Sequence, residues 1–83
     1  MKKIKVNTQQ KADKTIVEVF KTNVSQNKQA NFIIQELQLY FPDCLINFDL
    51  EDVDCILRIE GNRESFENIP NLLKEQGFQC ELL

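Results

Sequence analysis

Two spacings of apolar residues alternate along residues 15–83, and each change of spacing marks the end of a segment. Steps of two are typical of a half-buried strand, whereas steps of three and four are typical of an amphipathic helix. The pattern predicts, in order, strand Thr15–Thr22, helix Gln26–Phe41, strands Cys44–Leu50 and Val53–Glu60, helix Glu64–Gln76 and strand Phe78–Leu83.

The first predicted strand carries apolar residues on both of its faces. Ile16 and Phe20 share one face, and Val17 and Val19 share the other, because side chains alternate along a strand. A strand that is apolar on both faces is usually central in its sheet. The pattern therefore predicts a central strand and leaves open which pair faces the core.

The ends of the helices are marked by residues with strong positional preferences. Ser25 is a suitable N-cap for the first helix, and Pro42 ends that helix because proline disfavours helix in the preceding residue. Pro70 leaves two alternatives for the second helix: a bend at Pro70, or a start at Asn68 with Pro70 in the first turn. Gly77 is predicted to form a left-handed C-terminal cap.

The two middle strands alternate cleanly and are joined by the polar turn Glu51-Asp52, which predicts an antiparallel hairpin. The residues predicted to face inward are Cys44, Ile46, Phe48, Leu50, Val53, Cys55, Leu57 and Ile59. Leu45, Ile56 and Arg58 fall on the outward face.

The order strand, helix, strand, strand, helix, strand contains two β-α-β crossovers that share one sheet. Right-handed crossovers place both helices on one face of that sheet. The sequence therefore predicts an α+β, ferredoxin-like two-layer sandwich over residues 15–83. Its four-stranded antiparallel sheet has one open face.

Charge divides the chain differently. Residues 1–14 hold five basic residues and one acidic residue (net +4), whereas residues 15–83 hold five basic and twelve acidic residues (net −7). The first segment is expected to be a flexible basic tail that could contact an anionic partner, and Lys3–Val6 could form a short extra strand. A net negative folded part repels a phosphate backbone, which disfavours nucleic-acid binding.

No apolar run reaches the roughly 20 residues of a membrane helix or the about 7–15 residues of a secretory signal. A cytoplasmic protein without a membrane partner is therefore expected. The chain has no histidine, which removes most nucleophile–base and zinc motifs, and it has no glycine-rich phosphate loop. These absences favour a non-enzymatic protein without a cofactor.

Three cysteines offer the remaining candidate chemistry. Cys44, Cys55 and Cys80 are in phase with the apolar residues of their strands, which favours buried, reduced thiols. The alternative is an atypical soft-metal site for Cu or Zn, although no close-spaced ligand pair is present. An acidic cluster at the hairpin is expected to be a solvated turn, with weak Ca²⁺ or Mg²⁺ binding as the alternative; its members are Asp49, Glu51, Asp52 and Asp54.

The order and spacing of these elements resemble the heavy-metal-associated domain of copper chaperones and metal-pumping ATPases, over about residues 15–83. The scaffold positions that carry the resemblance are Ala30, Ile33, Leu37, Asp49, Gly61 and Gly77-Phe78. Phe20–Asn23 and Asp49–Glu60 are similar to segments of a cysteine-less branch of that family.

The family's metal loop reads M-x-C-x-x-C, and the resemblance places its methionine on Val24 and its two cysteines on Gln26 and Gln29. A glutamine amide oxygen is a poor ligand for Cu(I). The resemblance therefore implies the family's fold without its usual metal site.

Two groups of apolar residues lie outside the predicted core. Phe32 and Leu39 are seven residues apart and lie off the main face of the first helix. On the open sheet face, Leu45 and Ile56 would adjoin Arg58 and either the pair with Phe20 or the pair Val17/Val19. Uncovered apolar patches often mark contact surfaces. The sequence thus favours a protein-interaction or regulatory module that forms a homodimer or binds a partner protein.

Overall fold

A computed structural model describes residues 15–83, and it has the predicted ferredoxin-like α+β fold. Its elements are β1 (Ile16–Thr22), α1 (Asn27–Tyr40), β2 (Leu45–Asp49), β3 (Ile56–Gly61), α2 (Ile69–Glu75) and β4 (Cys80–Leu82). The strands form one antiparallel sheet in the order β2-β3-β1-β4. The basic tail 1–14 and the short strand predicted at Lys3–Val6 lie outside the described residues. Within residues 15–83, no helix is long and apolar enough to cross a membrane.

The hydrophobic core lies between the two helices and one face of the sheet. The core residues are Phe20, Val24, Ala30, Ile33, Leu37, Cys44, Ile46, Leu57, Ile59, Phe66, Ile69 and Leu73. Each fully buried large aliphatic or aromatic side chain contributes about 1.5–3 kcal/mol relative to its exposed state. Every element except the short edge strand β4 contributes a residue to this core, so the two layers depend on one another.

The orientation of β1 is the one in which Phe20 faces the helices. Phe20 is 1% exposed and lies directly opposite Leu57, which is fully buried on the central strand β3. Thr22 is buried on the same face, whereas Val17 faces the opposite way and is 44% exposed. Strand β1 is central, as predicted, because it pairs with β3 on one side and β4 on the other.

The first helix begins one residue later than predicted. Its N-cap is Gln26 in an extended conformation, no side chain caps the helix, and Ser25 is therefore not the cap. The physical reason is Val24, whose side chain is fully buried and whose N–H donates to Thr22 Oγ1 at 3.1 Å. Tertiary burial holds this loop extended past Ser25. The helix ends at Tyr40, before Pro42, as predicted.

The second helix begins after Asn68 with Pro70 in its first turn, which is the second of the two alternatives. The predicted start at Glu64 is therefore wrong. Pro70 lacks the N–H that a longer helix would use, and Ile69 N donates instead to the carbonyl of Phe66 at 3.1 Å in a turn. Phe66 is almost completely buried in that turn and reaches the core from outside the helix.

The end of α2 is a Schellman motif, as the glycine predicted. Gly77 has φ of 91°, in the left-handed region that glycine adopts without strain. Its N–H donates to Lys74 O at 2.9 Å, and Phe78 N donates to Leu73 O at 3.0 Å. These two bonds satisfy carbonyls that the helix end leaves free, and they turn the chain into β4.

The hairpin turn is longer than the predicted Glu51-Asp52, and β3 starts only at Ile56. Val53, predicted to face inward, is 93% exposed. The reason is local hydrogen bonding: Asp52 Oδ1 accepts from Asp54 N at 2.8 Å, and Asp52 O accepts from Cys55 N at 2.9 Å. Cys55 closes the turn with φ of 46°. An aspartate that captures the backbone two and three residues onward favours a turn over an alternating strand.

The loops at the opposite end of the sheet are tied by one arginine. Arg63 donates to Asp43 Oδ1 at 2.9 Å, and its guanidinium lies 5.4 Å from the ring centroid of Phe41. That ring packs edge-on against Phe66 with centroids 5.6 Å apart. The loop after α1 and the loop after β3 therefore stabilise each other.

Gly61 packs so closely on Cys44 that a side chain at this glycine would overlap Cys44 Sγ. We expect Gly61→Ala to lower the free energy of unfolding by roughly 1–3 kcal/mol, because the buried thiol must shift. The cost should be clearly smaller in a Cys44→Ala background, where the overlapping atom is absent. Urea unfolding of the four proteins of this cycle measures the coupling. An equal cost in both backgrounds would contradict the contact.

Candidate interaction surface

The sheet face that the helices leave bare is a candidate site, and we call it the open sheet face. Alternation along each strand selects its residues, since neighbouring side chains point to opposite sides. Its members are Val17, Val19, Lys21, Leu45, Asn47, Asp49, Ile56, Arg58, Glu60 and Glu81. Leu83 joins them beside Val19, to whose carbonyl its N–H donates at 2.9 Å.

The apolar part of the open sheet face is spread over three strands. Leu45 is 64% exposed on β2, Val17 and Val19 follow each other on β1, and Ile56 is half-buried at the start of β3. Directly opposite residues form rows across the sheet: Leu45 lies beside Glu60, which lies beside Val17. The predicted residues Leu45 and Ile56 thus share this surface but are not adjacent, because Leu45 lies opposite Glu60 and Ile56 lies opposite Asp49, four residues further along β2.

A charged pair occupies the middle of this surface. Arg58 and Glu60, two residues apart on β3, form an ion pair with Nη2 and Oε1 separated by 3.3 Å. Their side chains remain 45% and 30% exposed, so the pair itself adds little to stability. Its importance is positional, because one positive and one negative group stand side by side between apolar neighbours.

Phe20 was the wrong residue to expect on this surface. It is buried in the core, and Val17 and Val19 occupy the open sheet face instead. The sequence does not show which residues of β1 face the helices, because both faces of β1 are apolar. The pairing of Phe20 with the inward-facing Leu57 determines the orientation.

The outer side of α1 carries a second, separate apolar patch. Phe32 and Leu39 are 48% and 75% exposed, as their offset from the buried stripe predicted. Tyr40 is also exposed and was missed. It lies eight residues after Phe32, so the same helical spacing could have identified it. This patch belongs to the helix layer and is not continuous with the open sheet face.

The loop between β1 and α1 is where the family resemblance places metal ligands. Gln26 is exposed at the N-cap of α1, and Gln29 is half-buried in its first turn. The Oε1 atom of Gln29 is buried and accepts no hydrogen bond within the described chain. Both positions present neutral amides where a soft metal would need thiolates.

Thr22 is the polar centre of this loop. Its hydroxyl donates to the carbonyl of Cys55 at 2.6 Å and accepts from the N–H of Val24 at 3.1 Å. The neighbouring Asn23 accepts from the N–H of Gln79 at 2.8 Å. These bonds join β1 to the hairpin turn and to the loop before β4, so they close this end of the sheet.

The three cysteines do not form one site. Cys80 lies opposite Thr22, and Cys55 is joined to Thr22 by a hydrogen bond, so both are at the end of β1. Cys44 packs on Gly61, which lies opposite Ile16 at the start of β1. The length of β1 separates the two ends by about 20 Å. Among residues 15–83, no cluster of three or more metal-binding side chains is present.

The cysteines also differ in their surroundings. Cys44 is in the core, as predicted, whereas Cys55 lies in the turn and not in the strand that was expected to hold it. Burial, with a smaller contribution from the adjacent Glu81, raises the pKa of the Cys80 thiol to about 12. Burial is also the main reason that the pKa of Cys44 is raised, with Asp43 adding to it. Raised pKa values disfavour the thiolates that react or bind metal.

The acidic cluster at the hairpin is engaged in its own turn. Asp49 Oδ1 accepts from Glu51 N at 3.2 Å, and Asp52 Oδ1 holds Asp54 N as described above. Two of the four carboxylates therefore stabilise backbone geometry. The arrangement is that of a solvated turn whose charges add to the negative potential of the domain.

Comparison of the chain with protein-family models, curated proteins and solved structures found no match in any of the three. The assignment of function therefore rests on the geometry described above.

We expect the Cys80 thiol to react far more slowly in the folded protein than in the unfolded chain. At pH 8, a pKa near 12 leaves on the order of a thousandth of the thiolate present at an ordinary cysteine. In a Cys44→Ser/Cys55→Ser variant, labelling by a disulfide reagent at pH 8 should be at least ~100-fold slower without urea than with it.

The pH dependence of this labelling tests the direction of the pKa shift of Cys80. Because higher pH forms more thiolate, the folded rate should rise about tenfold per pH unit throughout pH 7.5–9.5. The unfolded rate should level off near pH 9. A folded rate that also levels off near pH 9 would show that Cys80 ionises as an ordinary thiol.

Proposed function

We propose that this chain is a non-enzymatic protein-interaction module on a scaffold like that of heavy-metal-associated domains, and that it binds a second copy of itself through the open sheet face. The observation that carries the proposal is the Arg58–Glu60 pair set among uncovered apolar side chains. The amides at Gln26 and Gln29 support a function without the family's metal.

The apolar residues of the open sheet face supply the driving force. Burial of apolar surface yields roughly 25 cal/mol per Å², and association becomes favourable once this exceeds the entropy lost on docking. Leu45 and Val17 are well exposed, and Leu83, which lies beside Val19 on the same face, is 64% exposed. A second layer over this face would remove all three from water.

The charges favour a second copy as the partner. A two-fold axis that crosses the strands between the Arg58 and Glu60 positions places each Arg58 over Glu60 of the other copy. The same axis places each Val17 over Val19 of the other copy, because these residues lie opposite Glu60 and Arg58 on β1. Self-complementarity of this kind is what an isologous interface requires. The charge pair would thus fix the register of the contact.

Metal handling through the cysteines is the competing function, and the geometry does not favour it. Cys44 is far from the other two thiols, and the pKa values of Cys44 and Cys80 are raised. Titration of the reduced protein with Cu(I) against a chromophoric chelator, and with Zn²⁺ in parallel, separates the two functions. Uptake of one equivalent from the chelator would make metal binding the leading function.

Charge reversal within the central pair should separate the two copies. We expect Arg58→Glu and Glu60→Arg each to raise the dissociation constant of the dimer at least about tenfold, since each variant sets like charges against one another. The double variant Arg58→Glu/Glu60→Arg should restore association, because it exchanges the two signs and keeps the pairing. Sedimentation velocity from micromolar to millimolar protein measures all four.

Lys28→Glu is the matched control for Arg58→Glu. It makes the same change of charge at an exposed residue of α1, away from the open sheet face. It should leave association unchanged. A wild-type chain that stays monomeric at millimolar concentration would refute self-association. Equal weakening by Lys28→Glu would show that net charge, and not the central pair, governs association.

A further inference from the structure

A groove of about 370 Å³ lies between α1 and the edge strand β2, and it meets the open sheet face at Asn47 and Asp49. Apolar side chains of Ala30, Ile34, Phe48 and Leu50 line it. The last three are only partly buried, and all pack against the core. Asn27, Asn31 and Asn47 also line it, so the groove that the two described layers leave uncovered has an apolar floor and a polar rim.

The backbone beside this groove is also without a strand neighbour. Within residues 15–83, β2 pairs only with β3. Along an antiparallel strand, the backbone groups of successive residues point alternately to the two neighbouring strands. The bond from Leu83 N to Val19 O shows that Val19 points away from β3. Carried across the sheet through the residue pairing, this alternation points the N–H and C=O groups of Ile46 and Phe48 away from β3. An exposed edge of this kind accepts an added strand.

The rim of the groove is acidic. Asp49 and Glu51 line it, and no lysine or arginine of the described chain does so. Asp52 and Asp54 follow in the adjoining turn. An occupant with apolar residues on one side and positive charges on the other would match both the floor and the rim.

The chain itself contains such a segment. Residues Lys2–Val6 read Lys-Lys-Ile-Lys-Val, so Ile4 and Val6 alternate with Lys3 and Lys5. The nine residues 7–15 join this segment to β1 and can span up to about 30 Å. The starts of β1 and β2 are two strand spacings apart, or about 10 Å, since Ile16 lies opposite Gly61 and Glu60 lies opposite Leu45. The segment can therefore reach the groove of its own chain.

We propose that Lys2–Val6 binds the outer edge of β2 in the same chain, with Ile4 and Val6 in the groove and Lys3 and Lys5 toward its acidic rim. The net charges, +4 for residues 1–14 and −7 for residues 15–83, favour this contact. It covers the edge that is otherwise open to other chains, and it is independent of the proposed dimer.

Amide hydrogen exchange of the full-length protein tests the contact at two atoms. The amides of Ile46 and Phe48 should exchange about tenfold or more slowly than unprotected amides, because the added segment accepts from them. The double variant Ile4→Ser/Val6→Ser should abolish this protection and leave core amides unchanged. Salt at about 1 M should reduce it, because the lysine–carboxylate attraction is then screened.

A pair of charge variants distinguishes a specific contact from net charge. Lys3→Glu/Lys5→Glu should remove the protection, whereas Lys11→Glu/Lys14→Glu makes the same charge change outside the segment and should retain most of it. Equal loss in both variants would overturn the proposal, as would unprotected amides in the wild type or protection that survives every variant. Protection that grows with protein concentration would assign the groove to another copy and overturn binding within one chain.

Discussion

The two helices cover one face of a four-stranded sheet, and this one-sided cover determines the rest of the molecule. Because a strand is pleated, turning Phe20 toward the helices necessarily turns Val17 and Val19 the other way. The helices fill the core with apolar side chains, but the chain has no further described element to place over the second face. The apolar residues of the open sheet face are therefore the geometric counterpart of the core. Their uncovered position supports the proposed self-association, since a second copy would supply the missing layer.

The open sheet face and the edge of β2 suit different kinds of partner. The face carries apolar side chains around a central ion pair, with further polar residues toward one end, so it suits a partner that brings side chains and matched charges. The edge of β2 offers unpaired backbone at Ile46 and Phe48, so it suits an extended segment that brings hydrogen bonds. The two proposed contacts therefore use different groups, which are side chains on the face and backbone at the edge. The acidic turn after β2 also gives the edge a negative charge, which favours a basic occupant, and the proposed occupant has the added advantage of belonging to the same chain.

The order of the elements could be read from the sequence because the spacing of apolar residues changed abruptly at each boundary. Leu57 and Ile59 were correctly placed inward, and Gly77 formed the expected cap. Three other expectations required information that the local pattern does not contain. Phe20 was ambiguous because both faces of β1 are apolar. Val53 fits the alternating sequence pattern of a strand. The side chain and carbonyl of Asp52 instead accept hydrogen bonds from the following backbone and hold it in a turn. Ser25 is a good cap by residue type, but the burial of Val24 kept the chain extended for one more residue. In each case a tertiary or side-chain contact outweighed a local preference.

The end of the sheet near Thr22 is where the family resemblance would place a metal-binding loop. The loop there is held by bonds among Thr22, Val24 and Cys55, and Asn23 joins it to the loop before β4. Most of its polar groups are thus directed at one another, with Gln29 Oε1 as the exception. A loop stabilised internally does not need a bound ion to fix its shape, and a buried hydroxyl with both a donor and an acceptor partner is costly to disturb. This arrangement supports a structural role for the loop, in agreement with the proposal that contacts form at the open sheet face and the β2 edge.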